Sequence, residues 1–136
     1  MRRTHFIFGV LLFIVFAITG RYMRVDFPDK EIIPQDLRLL MRSRHIYILF
    51  SALIHLMIGV YMVLRPRLLQ KAIQITGSAV LGISSVVLVW AWYAETYQTG
   101  QFSNVSREGI YLSLTAVVLH MIGGFELDRR DEELDN

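Results

Sequence analysis

Hydrophobic residues fall into four long blocks that are separated by charged segments: 4–20, 45–64, 75–97 and 109–127. Each block is close to the length of about 20 apolar residues that a helix needs to cross a bilayer. Inside lipid the backbone has to satisfy its own hydrogen bonds, which favours helices. The pattern predicts an all-α integral membrane protein whose single domain, 1–136, is an up-and-down bundle of four transmembrane helices.

The segments between the blocks differ in charge. The connection 21–44 carries most of the charge. Within it, Pro34 followed by Gln35 and Asp36 predicts the start of an amphipathic helix that leads into the second span. The segment 126–136 is acidic and is expected to be a solvated tail. The basic start and first apolar block also fit a secretory signal, but no clear Ala-x-Ala cleavage pattern follows, so a retained helix is expected.

Composition supports a membrane protein and removes several functions. Hydrophobic residues make up 54% of the chain and charged residues 19%, and the mean hydropathy is +0.43. A soluble domain usually has about 25% charged residues. The bilayer is therefore the expected surrounding, and no nucleic-acid partner is expected. The chain has no cysteine, which excludes thiol chemistry, cysteine metal sites and disulfides.

Small and hydroxyl residues recur at helical spacing in the last three blocks. In membrane helices such residues mark packing faces, because small side chains let backbones approach and hydroxyls can bridge helices. We expect these faces to support the bundle and association with a second copy or a larger membrane complex. The predicted packing residues are Ser51, Gly59, Ser78, Gly82, Ser113 and Gly124.

Two histidines lie near the middle of apolar blocks, His55 in the second and His120 in the fourth. These helices run in the same direction, and the block ends place the two histidines within about 3 Å in depth. They are therefore predicted to face one another. Either they form hydrogen bonds inside the bundle, or they are the axial ligands of a b-type haem. Two histidines alone are too few for a metal site.

For a haem, the sequence offers Arg42, Arg44 and Arg65 as propionate contacts near the membrane surface. Two further titratable residues are expected to lie at the edge of the membrane. His5 is predicted to sit among the headgroups, and Glu95 is predicted to face the water boundary beside the aromatic residues Trp90 and Tyr93.

The leading functional hypothesis is a non-enzymatic accessory or scaffold subunit that acts through helix–helix association, with no cofactor and no catalytic residue assigned. The alternative is a haem-binding electron carrier or anchor subunit that uses His55 and His120. A small transporter is a third class, but it would need a polar path across the bundle. Lysine and arginine divide evenly between the two sides; the basic linker 65–71 and the weakly charged loop 98–106 favour cytoplasmic termini.

Overall fold

A computed structural model of the protein describes residues 1–25, 33–95 and 104–125. Four helices make up most of these residues: α1 (Arg2–Val25), α2 (Gln35–Tyr61), α3 (Leu68–Ala94) and α4 (Asn104–Gly124). The residues described contain no β-strand. The all-α prediction is therefore confirmed for this part of the chain, whereas the predicted tail, 126–136, lies outside it.

Three helices are long and apolar enough to cross a membrane. The best windows of α1, α2 and α3 have mean hydropathies of 2.1, 1.4 and 1.9, and the helices contain 24, 27 and 27 residues. At 1.5 Å per residue they measure about 36–40 Å, which exceeds a hydrocarbon core of about 30 Å. α4 has 21 residues with Arg107 and Glu108 in its first turns, and it is not among the three.

The helix ends differ from the predicted blocks in an instructive way. α2 starts directly after Pro34, so the amphipathic segment and the second span form one continuous helix. At its other end α2 stops at Tyr61, and Met62 is extended (φ −63°, ψ 127°), before Pro66 in the linker to α3. The helix start predicted after Pro34 is therefore confirmed, whereas residues 62–64 of the second apolar block lie outside the helix, because hydropathy does not distinguish helical from extended apolar residues.

Consecutive helices pack as antiparallel neighbours. In the first hairpin, formed by α1 and α2, a methyl group at Gly59 would lie 2.7 Å from the backbone nitrogen of Phe6, and one at Gly9 would lie 2.9 Å from that of Leu56. In the second hairpin, formed by α3 and α4, a methyl group at Gly77 would lie 3.2 Å from the carbonyl oxygen of Ala116. Each hairpin thus brings its helices close together at glycines.

The two hairpins meet along α2 and α3, which gives the bundle its core. Ile48 and Ala52 of α2 and Leu81 and Leu88 of α3 are almost completely buried there. By contrast, α1 exposes a stripe of apolar side chains at helical spacing, which includes Ile7, Leu11, Ile14 and Ile18. A surface of this kind suits lipid chains or another membrane helix.

Candidate functional site

His55 lies inside the bundle with 2% of its surface exposed. Its Nδ1 atom is 2.8 Å from Nδ1 of His5, and its Nε2 atom is 2.9 Å from Oγ of Ser85. Both ring nitrogens therefore contact polar groups of neighbouring helices. Burial of an imidazole without such partners would cost free energy, so these contacts explain how the fold accepts a histidine at this depth.

His5 is the main residue that sequence reasoning missed. It was expected among the headgroups, but it is 5% exposed, and its Nε2 atom lies 2.9 Å from Oγ of Ser78. The expectation was wrong because α1 packs antiparallel on α2, which brings the start of α1 to the depth of His55. A signal was present: His5, Gly9 and Thr19 form a stripe of small and polar residues, and all three are buried.

His120 reaches the same cluster from α4. Its Nε2 atom lies 3.3 Å from Oγ of Ser78, and its ring meets that of His5 edge-on with 6.0 Å between centroids. The ring centroids of His5 and His55 are 5.0 Å apart. His55 and His120 are thus linked through His5 and Ser78, rather than by facing one another directly.

Two serines on α3 connect the histidines. Ser78 contacts His5 and His120, while Ser85 contacts His55 and lies 2.6 Å from Oγ of Ser51. Together these six side chains form one continuous chain of polar contacts that includes residues from all four helices. We call it the central network: His5, Ser51, His55, Ser78, Ser85 and His120.

The positions of the hydroxyl protons constrain the central network. Oγ of Ser78 is 2.9 Å from the carbonyl oxygen of Gln74, and Oγ of Ser85 is 2.8 Å from that of Leu81. If both serines donate to these carbonyls, His5 and His55 must each donate from Nε2, which leaves two bare Nδ1 atoms facing each other. A neutral network therefore requires one serine to turn and donate to its histidine instead.

The geometry bears on haem ligation. A porphyrin between His55 and His120 would need the space in which His5 lies, and it would have to break the contacts of His55 with His5 and Ser85. Among the residues described, no group of three or more histidine, aspartate or glutamate side chains is arranged to hold a metal ion. In this structure His55 and His120 are engaged in the hydrogen bonds of the central network.

The three arginines proposed as propionate contacts do not converge. Arg44 is buried near the start of α2, whereas Arg65 follows the end of that helix and binds the carbonyl oxygen of Gly124 through Nε and Nη2. Arg42 is exposed. Arg44 lies about 26 Å of helix before the end of α2 at Tyr61, and Arg65 lies beyond that end. They cannot hold the propionates of one haem.

Arg44 and Glu95 form a second polar site at the opposite end of the bundle. Nε of Arg44 lies 3.5 Å from Oε2 of Glu95, and both side chains are buried. Arg44 also donates to the backbone carbonyl of Glu95. The Glu95 carboxylate accepts hydrogen bonds from the backbone of Val105 and from the hydroxyl of Ser106, at 2.9 and 2.7 Å. Glu95 was expected to face water, and that expectation was wrong.

The predicted packing residues fall into two groups. Four lie in interhelical contacts: Ser51, Gly59, Ser78 and Ser113, of which Ser113 pairs with Ser84 across α3 and α4. For Gly82 and Gly124, however, an added methyl group would meet nothing within 4 Å, so neither lies at a close approach. The close approaches missed by sequence reasoning are at Gly9, Gly20, Gly77, Gly109 and Gly123.

The fold and the central network together define a class: an all-helical protein with at least three helices suited to a membrane and a buried histidine–serine network. Searches with protein-family models, curated proteins and solved structures found no significant match to this chain. The function is therefore argued from the geometry alone.

Proposed function

We propose that the protein is a non-enzymatic accessory or scaffold subunit of a membrane, in which α4 is a fourth span and the central network holds the helices in register. One observation supports this most directly. The six side chains of the central network come from all four helices and bind one another, so the chemistry of the histidines is used inside the protein.

The helices need polar contacts to stay in register with one another, because lipid is as apolar as the helix surfaces. Between membrane helices, association depends on close packing and interhelical hydrogen bonds. The glycine contacts supply the packing within each hairpin, and polar contacts such as His55 with Ser85 join the hairpins. A scaffold needs a fixed shape, and this arrangement supplies one.

The surface suits association. α1 exposes the apolar stripe that includes Ile7, Leu11, Ile14 and Ile18 and packs mainly on α2. We assign this stripe to a second copy or to a larger membrane complex. Cross-linking in native membranes tests the assignment, because the mass of the cross-linked product shows whether a second copy or another protein is attached. If the protein remains monomeric and no partner is cross-linked to it, the assignment is refuted.

The haem-binding carrier is the alternative, and one experiment separates the two. The purified protein, expressed with haem supplied, is examined by a reduced-minus-oxidised visible spectrum. The scaffold proposal expects no Soret band in folded protein, and it expects His55→Ala to lower the unfolding temperature. A strong Soret band that disappears in His55→Ala and in His120→Ala would overturn the scaffold proposal, because it would show that both imidazoles are ligands.

A further inference from the structure

A cavity of about 440 Å³ opens at the end of the bundle where α2 and α4 end and α3 begins. Most of its wall is apolar, and Met57, Ile58 and Met62 contribute to it. Four side chains with hydrogen-bonding groups, Tyr61, Arg65, Gln74 and His120, also line it. This volume lies in the usual range for small-molecule sites, and a mostly apolar wall with a few polar groups is typical of them.

Two of the polar groups are held in place by the fold. Gln74 accepts a hydrogen bond from the backbone nitrogen of Arg65 at 3.1 Å and donates to the carbonyl oxygen of Val63 at 3.0 Å. The guanidinium of Arg65 is fixed on the carbonyl oxygen of Gly124 at 3.0 Å. The polar side of the cavity is therefore preorganised, which lowers the entropic cost of binding.

His120 is the group that offers a contact to a ligand. Ser78 has one hydroxyl proton, which it donates to one of its two partners at 2.9 Å, the carbonyl oxygen of Gln74 or Nε2 of His5. In its longer contact, at 3.3 Å, Oγ of Ser78 therefore accepts a hydrogen bond from Nε2 of His120. The neutral ring then carries a lone pair on Nδ1, and no residue in the described ranges binds that atom. A ligand that donates a hydrogen bond would satisfy it.

The charged side chains near the cavity are cationic in the part of the chain that the structure describes. Five cationic side chains stand at this end of the bundle: Arg2, Arg3, Arg65, Arg67 and Lys71. The described residues at this end contain no aspartate or glutamate; the acidic segment 126–136 follows α4 and lies outside them. An anionic group at the mouth of the cavity is therefore favoured by the nearby positive charge.

We propose that this cavity binds an anionic phospholipid whose headgroup carries a hydroxyl, with the hydroxyl donating to Nδ1 of His120, the phosphate near Arg65, and an acyl chain along Met57 and Ile58. The position suits a lipid because the cavity joins the apolar end of α2 to the charged linker. Headgroups and acyl chains of a bilayer meet in the same way.

The test uses the full chain in a non-ionic detergent and three probes. Short-chain phosphatidylglycerol has the phosphate, hydroxyls and tails; short-chain phosphatidylmethanol lacks the hydroxyls; glycerol 3-phosphate lacks the tails. Isothermal titration measures the Kd of each. Phosphatidylglycerol is expected to bind about three- to tenfold more tightly than phosphatidylmethanol, because one neutral hydrogen bond is lost. Glycerol 3-phosphate is expected to show no binding.

Gly124→Leu tests the location, and Gly82→Leu is its matched control. Gly124 lines the cavity, and an added Cβ atom there meets nothing within 4 Å, so a leucine side chain is expected to enter the cavity. Gly82 is equally open but is not part of the cavity wall. The affinity for phosphatidylglycerol is expected to fall at least about tenfold in Gly124→Leu, as an excluded apolar contact implies, and to stay unchanged in Gly82→Leu.

Several results would overturn the proposal. If folded Gly124→Leu binds phosphatidylglycerol with unchanged affinity, the lipid lies elsewhere. If phosphatidylmethanol binds as tightly as phosphatidylglycerol, the headgroup hydroxyl does not contact His120. Tight binding of glycerol 3-phosphate would identify a free phosphate ester as the ligand instead of a lipid. If Gly124→Leu does not fold, Val63→Trp narrows the same cavity from an exposed position and is read in the same way.

Discussion

Ser85→Ala is the substitution that tests the central network most directly. Oγ of Ser85 is the meeting point of Ser51, at 2.6 Å, and His55, at 2.9 Å, and all three side chains are buried. Alanine keeps the helix and removes only the oxygen. The Nε2 atom of His55 then loses its partner in a place that water does not reach.

The magnitude follows from which groups are left without a partner. The hydroxyl of Ser51 can turn to a backbone carbonyl of its own helix, whereas the ring of His55 is fixed by its other contact, with His5. A buried polar group without a partner costs about 1–3 kcal/mol, and measured hydrogen bonds between membrane helices average about 0.6 kcal/mol. We therefore expect Ser85→Ala to lower the free energy of unfolding by about 1–3 kcal/mol.

Unfolding by a denaturing detergent, followed by loss of helicity, measures this free energy. Ser43→Ala is the matched control, because the hydroxyl of Ser43 donates only to the backbone of its own helix, at 3.0 Å and in an exposed position. The control is expected to change the free energy by less than about 0.5 kcal/mol. Equal effects of the two substitutions would refute the reasoning, since the contacts of Ser85 would then contribute nothing to stability.

Three further predictions follow from buried contacts. Glu95→Ala leaves a buried arginine without its carboxylate, and we expect a loss of about 3–5 kcal/mol of unfolding free energy, against a smaller loss for Glu95→Gln. Gly59→Ala should cost about 1–3 kcal/mol because α1 and α2 must separate, while Gly82→Ala, in open space, should cost nothing; equal costs would contradict the packing. In nitrogen NMR spectra of the neutral network, one of His5 and His55 should carry its proton on Nδ1 and the other on Nε2; two Nε2 tautomers would contradict the short Nδ1 contact.

Apolar block length predicted the number and order of the helices, because a bilayer demands stretches of about 20 apolar residues. The start of α2 was predicted from turn chemistry and not from hydropathy. The charged start of α2, from Gln35 to Arg44, is helical although hydropathy excludes it from the span. Helix formation there follows from the proline start and from side chains that are polar on one face only, which a hydropathy average does not record.

The candidate site was predicted in part because histidine depth can be read from one helix at a time. The placement of His55 and His120 near mid-block led to a shared site, and the structure brings both to the central network. His5 could not be placed in this way. Its depth depends on the register of α1 against α2, which the close contact of Gly59 with Phe6 shows.

Glu95 was misplaced for a related reason. A carboxylate at the end of an apolar block usually meets water, and only its partners change that expectation. The partners come from two distant parts of the sequence: Arg44 in the first half of α2, and Val105 and Ser106 at the start of α4. Positive charge and two helix-start amides compensate the burial of the carboxylate, but neither is near Glu95 in the sequence.

The division of contacts between and within the hairpins suggests how the sequence selects one bundle. Within a hairpin, glycines such as Gly59 and Gly77 let the two helices pack closely. Between hairpins, apolar surfaces alone would allow many rotations and shifts, since lipid competes equally well for them. The contacts of Ser85 with Ser51 and His55, and the ion pair of Arg44 with Glu95, can form in only one register. Other contacts of the central network lie within a hairpin, such as that of His5 with His55. Polar groups therefore help to fix the register both within and between the hairpins.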